Sequence, residues 1–248
     1  MRGLLLTSLV GMFIVACGGA VDTSLGSGRS SATGAPGDPA GSSSGSASPR
    51  PACAIQTPVR HDFENGFVDA WGAANVAALR YDDVQPISGT TSLKLTLESP
   101  YVGSNKRAYF GRRFPASCAL DLHLKLRTEN LFESGSVTIV RLGATPASLD
   151  LVLGEHGVVS LVEEGPSGET EAHPIGSVAA DETTAIFVSL DLGANRFEAA
   201  VAPVGAPLPE RVQGPLVLEN GDASDVVFGM WTATATQGSY WLDDFSLE

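Results

Sequence analysis

Along most of this chain, apolar and polar residues change places at every second position. The clearest run sets Leu120, Leu122, Leu124 and Leu126 between Asp121, His123, Lys125 and Arg127. Side chains of an extended strand alternate between its two faces, so this run predicts a strand with one face on a core and the other in water. Leu93, Leu95 and Leu97 alternate with Ser92, Lys94 and Thr96, and the pattern repeats at Leu149, Leu151 and Leu153 and at Ile186, Val188 and Leu190. Further strands are expected at 59–64, 107–113, 136–142, 157–163, 196–203, 225–234 and 239–247. Turn signals divide them, among them Gly154-Glu155-His156-Gly157, Gly165-Pro166-Ser167-Gly168 and Gly193-Ala194-Asn195. No long helical periodicity occurs; Asp69 to Leu79 is the best candidate for a short helix. About a dozen short strands in one stretch predict an all-β domain over residues 57–248, a sandwich of two antiparallel sheets.

Two N-terminal segments break this pattern. Arg2 precedes an apolar run from Leu4 to Ala16. The run is too short for a bilayer core of about 30 Å, which takes about 20 residues, and it has the build of a secretory signal. Residues 18–52 are mostly Gly, Ser, Ala and Pro and hold no aromatic residue. Such a segment cannot bury enough surface to offset its ordering entropy, so a disordered, flexible linker is expected.

The apolar run ends at Ile14-Val15-Ala16-Cys17, which resembles the bacterial lipobox. The resemblance implies a signal peptide at 1–16, cleavage before Cys17 and a lipid on that cysteine, so that the membrane itself is a partner. Gly18 and Gly19 follow where an Asp would signal retention at the inner membrane; by the same resemblance the protein belongs to the cell envelope, at the outer membrane. The organisation expected is therefore signal 1–16, lipidated cysteine and linker 17–56, and sandwich 57–248. An exported compartment is oxidising, which makes a disulfide between Cys53 and Cys118 the natural pairing.

Composition narrows the function. Of the 248 residues 43% are hydrophobic, enough for a sizeable core. Asp and Glu outnumber Lys and Arg 28 to 15, a net charge of −13 that repels phosphate backbones and argues against nucleic acid as a partner. The cysteines and the four histidines show no zinc-ligand spacing.

Several motifs then carry a resemblance. They are Asp62-Phe63-Glu64-Asn65-Gly66, Trp71, the run Ser88 to Leu95, the segment Phe187 to Val201, and Tyr240-Trp241-Leu242-Asp243-Asp244-Phe245-Ser246-Leu247. Together they resemble jelly-roll carbohydrate-binding modules and the wider concanavalin A-like lectin/glucanase and laminin-G-like sandwiches. The resemblance implies an opening strand paired with the closing one and a hairpin over 187–201. It also implies a structural Ca²⁺ held by Glu64 and Asp243, with Asp62 and Asp244 in reserve and loop carbonyls completing the shell. Trp241, Asp243, Phe245 and Leu247 share one face of a regular strand. If the aromatics are core, Asp243 is buried and must be metal-bound or hydrogen-bonded, either by calcium or by backbone amides or Lys94.

No catalytic constellation stands out. The "E-x-D-x-x-E" strand of the glucanases is missing, Asp150 stands alone among aliphatic residues, and no "G-x-S-x-G" occurs. His61, His123, His156 and His173 are scattered. Sugar recognition is better provided for. Phe228 and Met230 alternate with Gly229 and Trp231, so if the first pair is core Trp231 points outward as a stacking platform. The expected contact residues are His123, Lys125, Arg141 and Trp231. The resulting expectation is a membrane-anchored exported lipoprotein whose non-catalytic sandwich binds a glycan or an envelope partner. A divergent polysaccharide lyase or glycoside hydrolase, and a purely structural envelope-assembly protein, stay open.

Overall fold

The computed structural model describes residues 58–64, 72–74, 79–97, 108–207, 209–217, 221–235 and 237–248. The expected signal, lipidated Cys17, linker and Cys53 lie outside them, as do Trp71 and Tyr101. Among the described residues fifteen strands form: β1 Val59–His61, β2 Gly72–Ala74, β3 Leu79–Asp82, β4 Ser92–Leu97, β5 Ala108–Ser117, β6 Ala119–Thr128, β7 Val137–Thr145, β8 Ser148–Leu153, β9 Val158–Glu164, β10 Thr170–Ser177, β11 Thr184–Asp191, β12 Arg196–Pro203, β13 Val212–Pro215, β14 Asp222–Met230 and β15 Gly238–Leu247. They make two antiparallel sheets. One has the order β13-β12-β11-β6-β15-β4-β3 with β1 also on β15; the other has the order β10-β9-β8-β7-β14-β5-β2. The all-β, two-sheet sandwich read from the alternation is the fold observed.

The strands with the clearest alternation bury the expected face. Along β6 the leucines 120, 122, 124 and 126 are all buried while Asp121 and His123 are exposed. The same holds for Leu149, Leu151 and Leu153 of β8 and for Ile186, Val188 and Leu190 of β11. These inward faces meet in one core. Phe228 of β14 stacks on Phe245 of β15 at 4.6 Å, and the Tyr240 hydroxyl donates to the Gly229 carbonyl at 2.8 Å. Both contacts tie the seven-stranded sheet to the eight-stranded one. The β11–β12 hairpin runs in unbroken register from Thr184↔Pro203 to Asp191↔Arg196. The opening strand pairs with the closing one, Val59 with Leu247 and His61 with Phe245.

Two local expectations change. Gly72–Ala74 is not helical but extended, paired with Gly111, Phe110 and Tyr109 of β5. Helix propensity, a weak preference even for Ala, yields there to the hydrogen bonds of a sheet edge. The second change is in β15, whose residues do not keep one phase. Its register against β6 shifts between Asp243 and Ser246, and Asp244 takes a left-handed φ of 45°. Such a bulge moves later side chains to the other face. Tyr240 and Leu242 are core before it and Phe245 and Leu247 after it, whereas Trp241 is left out of the core cluster.

Candidate functional site

The four expected contact residues divide between the two sheets. His123 and Lys125 lie on β6 of the eight-stranded sheet; Arg141 lies on β7 and Trp231 directly after β14, both of the seven-stranded sheet. Both pairs sit on strand positions that alternate with core residues, so they occupy the outer faces of opposite sheets and cannot form one contact surface. The alternation showed which residues point outward but not which sheet each strand joins.

On the eight-stranded sheet, the His123 ring packs tilted against Phe187 at 4.7 Å, and the Arg211 guanidinium lies 4.3 Å from the Phe187 ring. Lys125 forms an ion pair with Asp244. Trp241, 3% exposed, is enclosed by Lys94 at 4.5 Å and Arg127 at 4.6 Å, and its Nε1 donates to Asp82 Oδ2 at 2.6 Å. The Phe187 and Trp241 rings of this face are thus already met by the protein's own cations.

At one end of that sheet the opening Glu64 and closing Asp243 converge on loop 88–92. Asp243, fully buried, accepts from the Ser88 N–H and hydroxyl, the Ser92 hydroxyl at 2.7 Å, and the Asp244 N–H. Burial pushes its carboxyl up against these four donors, which pull it down. Glu64 accepts from the hydroxyl and N–H of Thr90 and from the Thr91 N–H, and the Thr90 contacts hold its carboxyl below the usual range. Gly89, at φ +57°, leaves the space a Cβ would fill to a Glu64 oxygen 2.0 Å away. Both carboxylates thus serve as acceptors for N–H and O–H donors, and the Lys125 ammonium pairs with the neighbouring Asp244. That donor set fits a hydrogen-bonded staple better than a calcium cage. Among the described residues no three His, Cys, Asp or Glu side chains converge to hold a metal.

The outer face of the seven-stranded sheet is different. Phe228 and Met230 are core, so Trp231 faces out, half-buried. Its ring meets Tyr109 of β5 edge-on at 5.0 Å, and the Arg141 guanidinium lies 5.4 Å from its centroid. A depression of about 640 Å³ opens beside it, lined by Tyr109, Gly111, Arg113, Asp225 and Val227 among others. Gly143 leaves room for one of these lining residues: a Cβ there would come within 2.4 Å of the Asp225 carboxylate.

Arg141 belongs to a larger group. Its Nη1 reaches Asp150 Oδ2 at 3.2 Å and Glu164 Oε2 at 2.7 Å, and its Nη2 donates to the Ser148 hydroxyl at 2.7 Å. Asp150 therefore has an acidic neighbour after all, across the sheet rather than along its strand. The cause is register. The β7–β8 pairing sets Arg141 against Asp150, and the β8–β9 pairing sets Ser148 against Glu164. The signals were present, since Thr145-Pro146 and Gly154 to Gly157 mark the two turns that centre these hairpins. Burial raises the Asp150 carboxyl to about 7, outweighing the attraction of Arg141, and the Glu164 charge adds to the rise.

The other polar residues are structural in their contacts. His61 is buried, accepts the Phe63 N–H on Nδ1 at 2.9 Å, and is pushed below its usual range by that burial. His173 bonds the fully buried Glu163 at 2.8 Å. His156 occupies a tight turn at φ 55°. Cys118 is disulfide-bonded.

The two-sheet antiparallel sandwich is a fold that known structures share. No family model and no curated protein matches this chain. Among solved structures it is similar to the cellulose induced protein Cip1, with a TM-score of 0.57 and 16% identity over 77% of this chain and 96% of that one. It is similar to the botulinum neurotoxin serotype D ligand binding domain in complex with N-acetylneuraminic acid, with a TM-score of 0.53 and 10% identity over 78% of this chain. A sialidase matches with a TM-score of 0.51 and 14% identity over 79% of this chain. The chain spans 47% of that toxin chain and 19% of that sialidase chain. At these identities the likeness is one of fold.

Proposed function

We propose that this protein binds a glycan on the outer face of its seven-stranded sheet, without catalysis, while held at a membrane through a lipid on Cys17. The observation that carries the binding site is the Trp231–Tyr109 pair at 5.0 Å, facing out beside an open depression. A pyranose presents a C–H face that stacks on such rings, and the polar groups of Arg141, Glu164 and Asp225 stand within the same surface for its hydroxyls. The fold supports this reading, because a structure that shares it is a toxin domain in complex with N-acetylneuraminic acid. The opposite face, with His123 and Lys125, is outside this site.

The test is a glycan panel read with the full chain and with Trp231→Ala and Tyr109→Ala. Binding by the wild type is expected to be lost in Trp231→Ala and weakened in Tyr109→Ala, with melting temperatures near that of the wild type. Binding untouched by Trp231→Ala would refute this surface. Turnover of a bound polysaccharide would replace the non-catalytic reading with a lyase or hydrolase. The anchor is tested by mass spectrometry of the mature protein, where acylated Cys17 at the N-terminus is expected.

A further inference from the structure

Asp150 lies on the outer face of its sheet, yet only 9% of its side chain is exposed. Its Oδ2 faces Arg141, while its Oδ1 is shut off from solvent with no hydrogen-bond partner. The same Arg141 nitrogen also holds Glu164, and the guanidinium stands 5.4 Å from the Trp231 ring. One cation therefore links a hidden carboxyl, an exposed carboxylate and the aromatic centre of the surface proposed above. The charged groups that face Asp150 are Arg141 from β7 and Glu164 from β9. Its own strand offers Ser148 and Val152 on this face, and β10 offers Thr170, Ala172 and Pro174. Asp225 and Arg113 stand farther off, beyond β7 on β14 and β5.

We propose that protonation of Asp150 gates this surface for acidic sugars. The proposal rests on the glycan-binding reading. With Asp150 ionised, Arg141 is shared by two carboxylates and the three groups carry a net negative charge, which repels a sugar carboxylate. With Asp150 neutral, Glu164 alone balances Arg141, and the guanidinium is available to a carboxylate on the ligand, in the bidentate geometry it favours. A neutral sugar gains nothing from the change. The carboxyl's rise to about 7 puts the switch within reach of ordinary pH changes in an envelope compartment.

The experiment titrates the full chain with an oligosaccharide ending in N-acetylneuraminic acid and with its neutral asialo counterpart, between about pH 5.5 and about pH 8.5. The acidic sugar is expected to bind about tenfold more tightly at the acid end, the effect of removing one charge a few ångströms away. The neutral sugar is expected to show no trend. Asp150→Asn, isosteric and always neutral, should hold the acidic sugar tightly at every pH. Glu164→Gln should move the midpoint to lower pH, because the like charge that raises Asp150 is gone. An acidic sugar bound with no pH trend, or a trend kept in Asp150→Asn, overturns the gate. Should no sugar bind, the glycan reading falls and the gate is read without ligand, from the tryptophan emission that Trp231→Phe removes. That emission should titrate near neutrality in the wild type and stay flat in Asp150→Asn; flat emission in the wild type overturns the gate.

Discussion

The carboxyls of this protein show how position decides the state of one chemical group. Asp243 is fully buried and has four donors; Asp150 is nearly as buried and leaves one oxygen unserved. Unfolded, Asp150 titrates at about 3.9; folded, at about 7. Between those values the folded state holds the extra proton, so stability falls as pH rises toward 7 and the penalty is complete above it. Asp150→Asn should therefore melt higher than the wild type at pH 8, with the gain vanishing by pH 4, as calorimetry across that range would read. Asp243 is expected to behave otherwise under substitution. Asp243→Ala strands the Ser88 and Asp244 amides and two hydroxyls, at a cost of about 3 kcal/mol measurable by denaturant unfolding.

At the level of elements, Glu64, Asp243 and Asp244 fasten the loop before β4 to the opening and closing strands. Because Glu64 already accepts three hydrogen bonds and Asp243 four, chelator is expected to leave the melting temperature unchanged. A rise on adding calcium would instead assign an ion to Glu64 and Asp243. The strands themselves were legible because each buries one face, which writes period two into the sequence, as in Leu120 to Leu126. The bulge at Asp243 to Ser246 was not, since one added residue makes Trp241 and Phe245 look in phase when they lie on opposite faces. The site was half legible for a similar reason. The outward turn of Trp231 followed from Phe228 and Met230 alone, but the Asp150–Arg141–Glu164 group depends on two hairpin registers, and the partition of His123 and Lys125 from Arg141 depends on sheet membership. Neither is encoded within a single strand.

At the scale of the whole molecule, Cys118 carries a covalent cross-link. Cys118 sits at the turn between β5 and β6, where the chain passes from one sheet to the other. We propose Cys53 as its partner, a closure worth about 4 kcal/mol on the chain-entropy model. Peptide mapping without reductant should recover a Cys53–Cys118 peptide, and Cys118→Ser should lower stability by up to that amount. Recovery of a Cys17–Cys118 peptide would overturn both the pairing and the lipid anchor.

The placement of β15 has a bearing on how the molecule is born. It lies between β6 and β4 and also receives β1, yet its residues are the last of the described strands to be made. Until residues 238–247 leave the ribosome, β4 and β6 are open edges and the Tyr240 and Phe245 links between the sheets do not exist. Sheet-forming contacts this distant in sequence assemble slowly in any case. The strand that completes the order of the eight-stranded sheet is thus the last described one to be made, so β4 and β6 find their shared neighbour only after residues 238–247 are synthesised.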